Sequence, residues 1–154
     1  GRKGCLECYA SSKGLKETAL ELLQGSDAPS KLRNIPAQEL SSKEIANAAK
    51  SGDSIARKAF DMTGEILGEA LANLVAVSAP QAIFLCGGVA NAKNLILSPT
   101  KRAMEKNILP LWKGKVRLEL SSIEYENAPI LGAAALAIKE IEKNSNVTAR
   151  RKIF

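Results

Sequence analysis

Histidine is missing from all 154 residues, and aromatic side chains make up only 4% of them. The first absence removes the commonest general base near neutral pH and a favoured zinc ligand. The second leaves no stacking platform for single-stranded nucleic acid. Cysteine is nearly as scarce: 3 residues, an odd number from which no disulfide framework can be read, which points to a reducing, cytoplasmic setting. No apolar run approaches the roughly 18 residues that span a bilayer, and no secretory leader pattern opens the sequence, so no membrane partner is expected.

What remains is an ordinary globular composition, 45% hydrophobic and 25% charged. The length fits one domain, able to bury roughly 70% of its unfolded surface. The net charge is +6, but the Lys and Arg residues are scattered along helices and read as a solvated face. The tight cluster is Arg150-Arg151-Lys152, read as a frayed basic tail, so a nucleic-acid partner is not expected.

Periodicity places a first helix from Cys5 to Gln24, broken near Gly14, with Leu15, Ala19, Leu22 and Leu23 at helical spacing. Residues 25–30 read as a loop. Ser41 and Glu44 have the spacing of a capping box, opening a helix that stops at Lys50 before Ser51-Gly52. Asp53 caps the longest helix, 54–78, whose stripe is Ile55, Ala59, Phe60, Ile66, Leu67, Ala70, Leu71, Leu74 and Val75. Gly64 and Gly68 inside it each cost about 1 kcal/mol relative to Ala, so another backbone is expected to approach there. Ala82–Cys86 is a continuous apolar run, read as a strand buried on both faces. A helical stretch starts near Asn91, restarts at Ser98-Pro99 and ends near Asn107. Residues 116–120 alternate as a second strand, parallel to the first, and a last helix covers 128–142. Two strands make a poor sheet, so the sequence reads as a piece of a larger α/β domain whose other strands precede Gly1.

Three places carry possible chemistry. Gly87 and Gly88 follow a strand and precede a helix, where glycine lets a ligand approach the backbone. The pair is neither a Walker loop nor a dinucleotide fingerprint, and taken alone such a pair is more often a plain structural turn. Cys5 and Cys8 form a C-x-x-C pair, but with Cys86 as the third cysteine and no histidine the chain cannot complete a four-ligand zinc site alone. Glu7 begins a helical stretch, where the helix dipole alone would favour a carboxylate.

GRKGCLE at the start resembles the end of the C-x-C-G-x-x-G-C-x-E signature of the ROK family, which groups bacterial sugar kinases with related repressors. GDSIARKAFDMTGEILGEALANLV resembles that family's long helix before the nucleotide loop. IFLCGGVAN is similar to its adenosine-side loop and NAPILGAAALA to its closing helix. The resemblance implies an α/β fold, the C-terminal portion of an actin-like ATPase (ribonuclease H-like) domain, mostly helical with two or three parallel strands. Residues 1–154 would be the C-terminal part of one such domain, with the upstream half absent.

The same resemblance implies ATP-dependent phosphorylation of a hexose, glucose foremost, by the whole protein, with the fragment alone inactive. Gly87, Gly88, Val89 and Asn91 are then nucleotide contacts, although Asn91 also suits a plain helix cap. Glu7 hydrogen-bonds sugar hydroxyls, and Mg²⁺ accompanies ATP. Cys5 is one ligand of a structural Zn²⁺ completed upstream, while Cys8 falls outside the pattern and reads as a small core residue. The catalytic base lies upstream and none is assigned here. The implied partners are the hexose, the missing half and a second copy in a homodimer. Two alternatives stand: a sugar-sensing repressor of the same family, and a helical interaction module with coincidental motifs.

Overall fold

The computed structural model describes residues 4–123 and 128–151. Gly1, Arg2 and Lys3, Asn127 of the closing-helix motif, and Lys152 of the basic tail lie outside the described residues. The chain divides into two units between Ser121 and Ser122. The second contributes one helix, described here by itself.

The first unit begins with a short 3-10 turn, Leu6–Cys8, and α1, Ser12–Gln24. The expected single helix from Cys5 is therefore split. Ser11 ends the turn by capping α1, its hydroxyl accepting the Gly14 N–H at 3.1 Å. Gly14 sits inside α1, where it lets the turn fold back: a Cβ there would lie 2.6 Å from the Cys8 carbonyl oxygen.

Helix α2 is Ser42–Lys50 and α3 is Ser54–Ser78. The Ser41–Glu44 pair forms half of the reciprocal box, with the Ser41 N–H facing the Glu44 carboxylate. The Ser41 hydroxyl accepts the Lys43 N–H at 3.2 Å and donates to the Glu44 carboxylate instead. That bond holds the Glu44 carboxyl below its ordinary range. Asp53 caps α3 as expected. Ala56 N–H donates to its Oδ1 at 3.0 Å, while Lys31 N–H and the Ser30 hydroxyl donate to Oδ2 at 2.7 and 2.8 Å. One carboxylate thus starts a helix and ties down the loop before α2. Helix α3 ends at Ala79, in the left-handed region at φ 47°, with Pro80 behind it.

Strand β1 is Ala82–Leu85, α4 is Asn94–Asn107, and β2 is Arg117–Leu120. The strands pair in parallel, Ala82 opposite Arg117 through Leu85 opposite Leu120. The expected burial of β1 on both faces is not found: Phe84 is 57% exposed and Cys86, beyond the strand, is exposed. Hydrophobicity signals a strand that can be covered, while β2 is its one pairing neighbour among the described residues. Nor does α4 restart at Ser98; it runs unbroken through Pro99. Helix α5, Ala128–Arg151, forms the second unit and extends past the expected end.

Two cores hang on α3. Its first half packs Ile55, Ala59 and Phe60 against Leu15, Ala19, Ile45, Ala49 and Ile96. Its second half packs Leu71 and Val75 against Met104, Ile108, Val116 and Leu118. Between them α3 and α4 meet along a glycine seam. A Cβ on Gly64 would lie 2.7 Å from the Pro99 ring carbons, and one on Gly68 would lie 2.6 Å from Ala103 Cβ and 2.7 Å from the Met104 nitrogen. The expected close approach is therefore by α4. It also rotates the buried face: Ile66 and Leu74 of the apolar stripe point outward, while Thr63, Gly64 and Gly68 are buried.

Candidate functional site

Beyond β1 the chain turns sharply at Gly87, whose φ of 103° favours glycine. It then forms a 3-10 turn, Ala90–Ala92. Lys93 follows at φ 55° and ψ −122°, a sparsely populated conformation for a residue with a side chain, before α4 begins. Asn91 lies inside the 3-10 turn rather than at a helix cap. The cap position of α4 belongs to Lys93.

This loop faces α2 across a cleft of about 410 Å³. Gly88, Val89, Asn91 and Ala92 form one side; Ser42, Lys43, Ala46, Asn47 and Lys50 form the other; Phe60 of α3 lies at the base. Ala46, Phe60 and Ala92 are buried, while Lys43, Asn47, Lys50 and Asn91 are exposed, so the floor is apolar and the rim polar. Helix α2 is held in place from behind. The Arg57 guanidinium donates to the Ala49 carbonyl at 2.9 Å, and Asp53 N–H donates to the Ala48 carbonyl at 3.1 Å.

Three of the expected nucleotide residues, Gly88, Val89 and Asn91, therefore share one cleft. Gly87 shapes the turn without lining it. Gly88 also has a packing reason to be glycine: a Cβ there would lie 2.8 Å from the Ser12 hydroxyl. That contact brings the loop to the first residue of α1. Glu7 lies on the exposed turn just ahead of α1, outside the lining of the cleft. Sequence reasoning missed the α2 wall altogether. Its signal was the i, i+4, i+7 spacing of Lys43, Asn47 and Lys50, which puts them on one helix face.

Cys5 is half-buried beside that same turn, with its carbonyl accepting the Cys8 N–H at 2.9 Å. Cys8 is exposed, not a core residue, because the 3-10 turn carries it outward instead of along an α-helical face. Among the described residues no group of three metal-ligating side chains is assembled. No described helix is long and apolar enough to cross a membrane.

A mostly helical α/β fold with a parallel strand pair, whose first strand leads through a glycine turn into a helix-walled cleft, is the fold class seen here. Residues 1–140 match the model of the ROK family, and the chain belongs to that family. It is 29% identical to a glucokinase of Thermotoga maritima, over 91% of this chain and 44% of that protein. It is 27% identical to the DNA-binding transcriptional dual regulator NagC of Escherichia coli, over 88% of this chain and 32% of the regulator. A ROK family glucokinase from Streptomyces griseus, solved in complex with glucose and AMPPNP, superposes with a TM-score of 0.79 at 26% identity, over 88% of this chain and 45% of that one. The chain thus spans less than half the length of these relatives.

Proposed function

We propose that the whole protein phosphorylates a hexose, glucose foremost, at the expense of ATP, and that this stretch supplies the nucleotide side of its cleft and one sugar-binding carboxylate. The observation that carries this reading is the cleft between α2 and the glycine loop. Its volume of about 410 Å³ lies within the range of small-molecule sites, and its apolar floor under a polar rim suits a flat base joined to a charged tail. Gly88, Val89 and Asn91 contact the nucleotide, with Gly87 setting the turn. The S. griseus glucokinase, which holds glucose and AMPPNP, supports the same reading by similarity.

Glu7 accepts hydrogen bonds from sugar hydroxyls, a task for which a carboxylate offers several charge-assisted acceptor sites. It orients the attacking hydroxyl and is not the base. The packing of Gly88 on Ser12 supports a shared site, since the loop reaches the helix that Glu7 precedes. Mg²⁺ supplies charge neutralisation for the transferring phosphoryl group and is carried largely by the phosphates, which needs no dedicated protein cage. Cys5 contributes one thiolate to a structural Zn²⁺ whose other ligands come from outside this stretch. The working form is a cytoplasmic homodimer, and the fragment alone is inactive.

The test is a coupled assay for ATP-dependent glucose phosphorylation by the full-length protein. Glu7→Gln is expected to raise the sugar KM and lower kcat/KM by about 10- to 1000-fold, or about 1.4 to 4 kcal/mol. Unchanged kinetics remove Glu7 from the site. The similarity to NagC favours a second reading, a sugar-responsive repressor. Retention of a specific DNA duplex with no phosphoryl transfer would decide for it.

A further inference from the structure

The α2 wall carries a feature that the nucleotide reading does not itself require. Lys43 and Lys50 lie seven residues apart on one face, about 10 Å along the helix axis. Asn47 stands between them, and all three are exposed at the cleft. The cleft lining contains no carboxylate. Among the described residues the ion pairs are Arg102–Asp61 and Arg117–Glu119, so neither lysine is held in a close ion pair, although the Glu44 carboxylate feels the charge of Lys43. Glu44, next to Lys43 in the chain, is engaged by Ser41 and lines an adjoining groove with Lys31, Leu32 and Ile35, which shares Asn47 with the cleft. The cleft therefore presents two ammonium groups, with no carboxylate in its own lining, on a wall fixed by Arg57 and Asp53.

We propose that Lys43 and Lys50 are specificity-determining residues that make this cleft select phosphorylated ligands over their unphosphorylated counterparts. The inference rests on the nucleotide reading above. The apolar floor takes the base, which carries no net charge and gives the lysines little to act on. The phosphoryl oxygens form charge-assisted hydrogen bonds with the ammonium groups at the rim. Asn47 offers both a donor and an acceptor and adjusts to either part. A nucleoside polyphosphate is the ligand that best uses floor and rim together, and a sugar phosphate shares the phosphoryl chemistry.

The experiment is calorimetric binding of ATP, AMP, adenosine and glucose 6-phosphate to the full-length protein, its Lys43→Gln and Lys50→Gln variants, and the double variant, at low and high salt. The double variant is expected to bind ATP about 10- to 50-fold more weakly, with adenosine affinity unchanged and the salt dependence of ATP binding reduced. The double arginine variant restores ATP affinity. Equal ATP affinity in wild type and double variant overturns the inference alone, as do equal losses for ATP and adenosine. Wild-type protein that binds none of these ligands overturns the nucleotide reading and the inference together. Wild-type binding of glucose 6-phosphate but not ATP, lost in the double variant, overturns the nucleotide reading and sustains the phosphoryl selectivity. Because both side chains are exposed, the thermal melts of the variants should match wild type and exclude misfolding as the cause.

Discussion

Asp53 serves two parts of the chain at once. Burial opposes its charge, but hydrogen bonds from the Ala56 N–H, the Ser30 hydroxyl and the Lys31 N–H outweigh that penalty and hold its carboxyl below the ordinary range. A carboxyl whose native value is depressed stabilises the fold above its unfolded value of about 3.9, and that contribution fades as pH falls through the lower native value. Asp53→Asn removes the charge and turns an amide group toward at least one of the donors. The expected loss is about 2 kcal/mol near neutral pH, read from urea denaturation. The gap between the two proteins should shrink as pH falls below about 3.9, where the unfolded chain takes up a proton that the native carboxyl still resists. A gap of constant size would show that packing, and not the carboxylate, is what Asp53 supplies.

Between elements, the decisive contact is the seam of α3 and α4. Gly68→Ala improves helix propensity by about 1 kcal/mol in isolation. Here the added methyl meets Ala103 Cβ at 2.6 Å and the Met104 nitrogen at 2.7 Å, and helix backbone does not yield cheaply. The net expectation is destabilisation by about 2 kcal/mol, measured by chemical denaturation. A more stable variant would mean that α4 slides freely on α3.

The seam also shows what a sequence reveals at this scale. The Asp53 cap and the end of α3 at residue 78 were legible because caps and stops act on neighbouring residues, whereas the Ser11 cap that splits the first helix was not read. Gly64 and Gly68 were legible as sites of approach because glycine is costly inside a helix without a reason. The partner in that approach and the resulting rotation of the buried face were not, since Ile66 and Leu74 keep helical spacing while pointing outward. The cleft was half legible. Gly87 and Gly88 announced a turn after β1, but Lys43, Asn47 and Lys50 look like any solvated helix face until the Gly88–Ala92 segment folds across from them. Cys8 and Cys86 misled because their exposure depends on where a short turn and a strand end fall.

Across the molecule, apolar surface is left uncovered on the first unit. Val77 is 88% exposed, Phe84 57% and Leu111 55%. Phe84 stands on a two-stranded parallel sheet, an arrangement that normally lies between covering layers. The 154-residue chain on its own is expected to associate as its concentration rises through the micromolar range, by sedimentation equilibrium. Val77→Lys combined with Phe84→Lys should shift it toward monomer. A wild-type chain that stays monomeric and binds no hydrophobic dye would show that this surface is not adhesive.

The clasp of Gly64 and Gly68 over Pro99 and Ala103 has a genetic corollary. Neither glycine accepts a side chain by itself, because a Cβ on Gly64 strikes the Pro99 ring and one on Gly68 strikes the Thr100 carbonyl oxygen and the Met104 nitrogen of the α4 backbone. Trimming a facing side chain leaves those backbone atoms in place, so lineages that diverge freely over the rest of α3 are expected to keep Gly68 and to change Gly64 only together with Pro99.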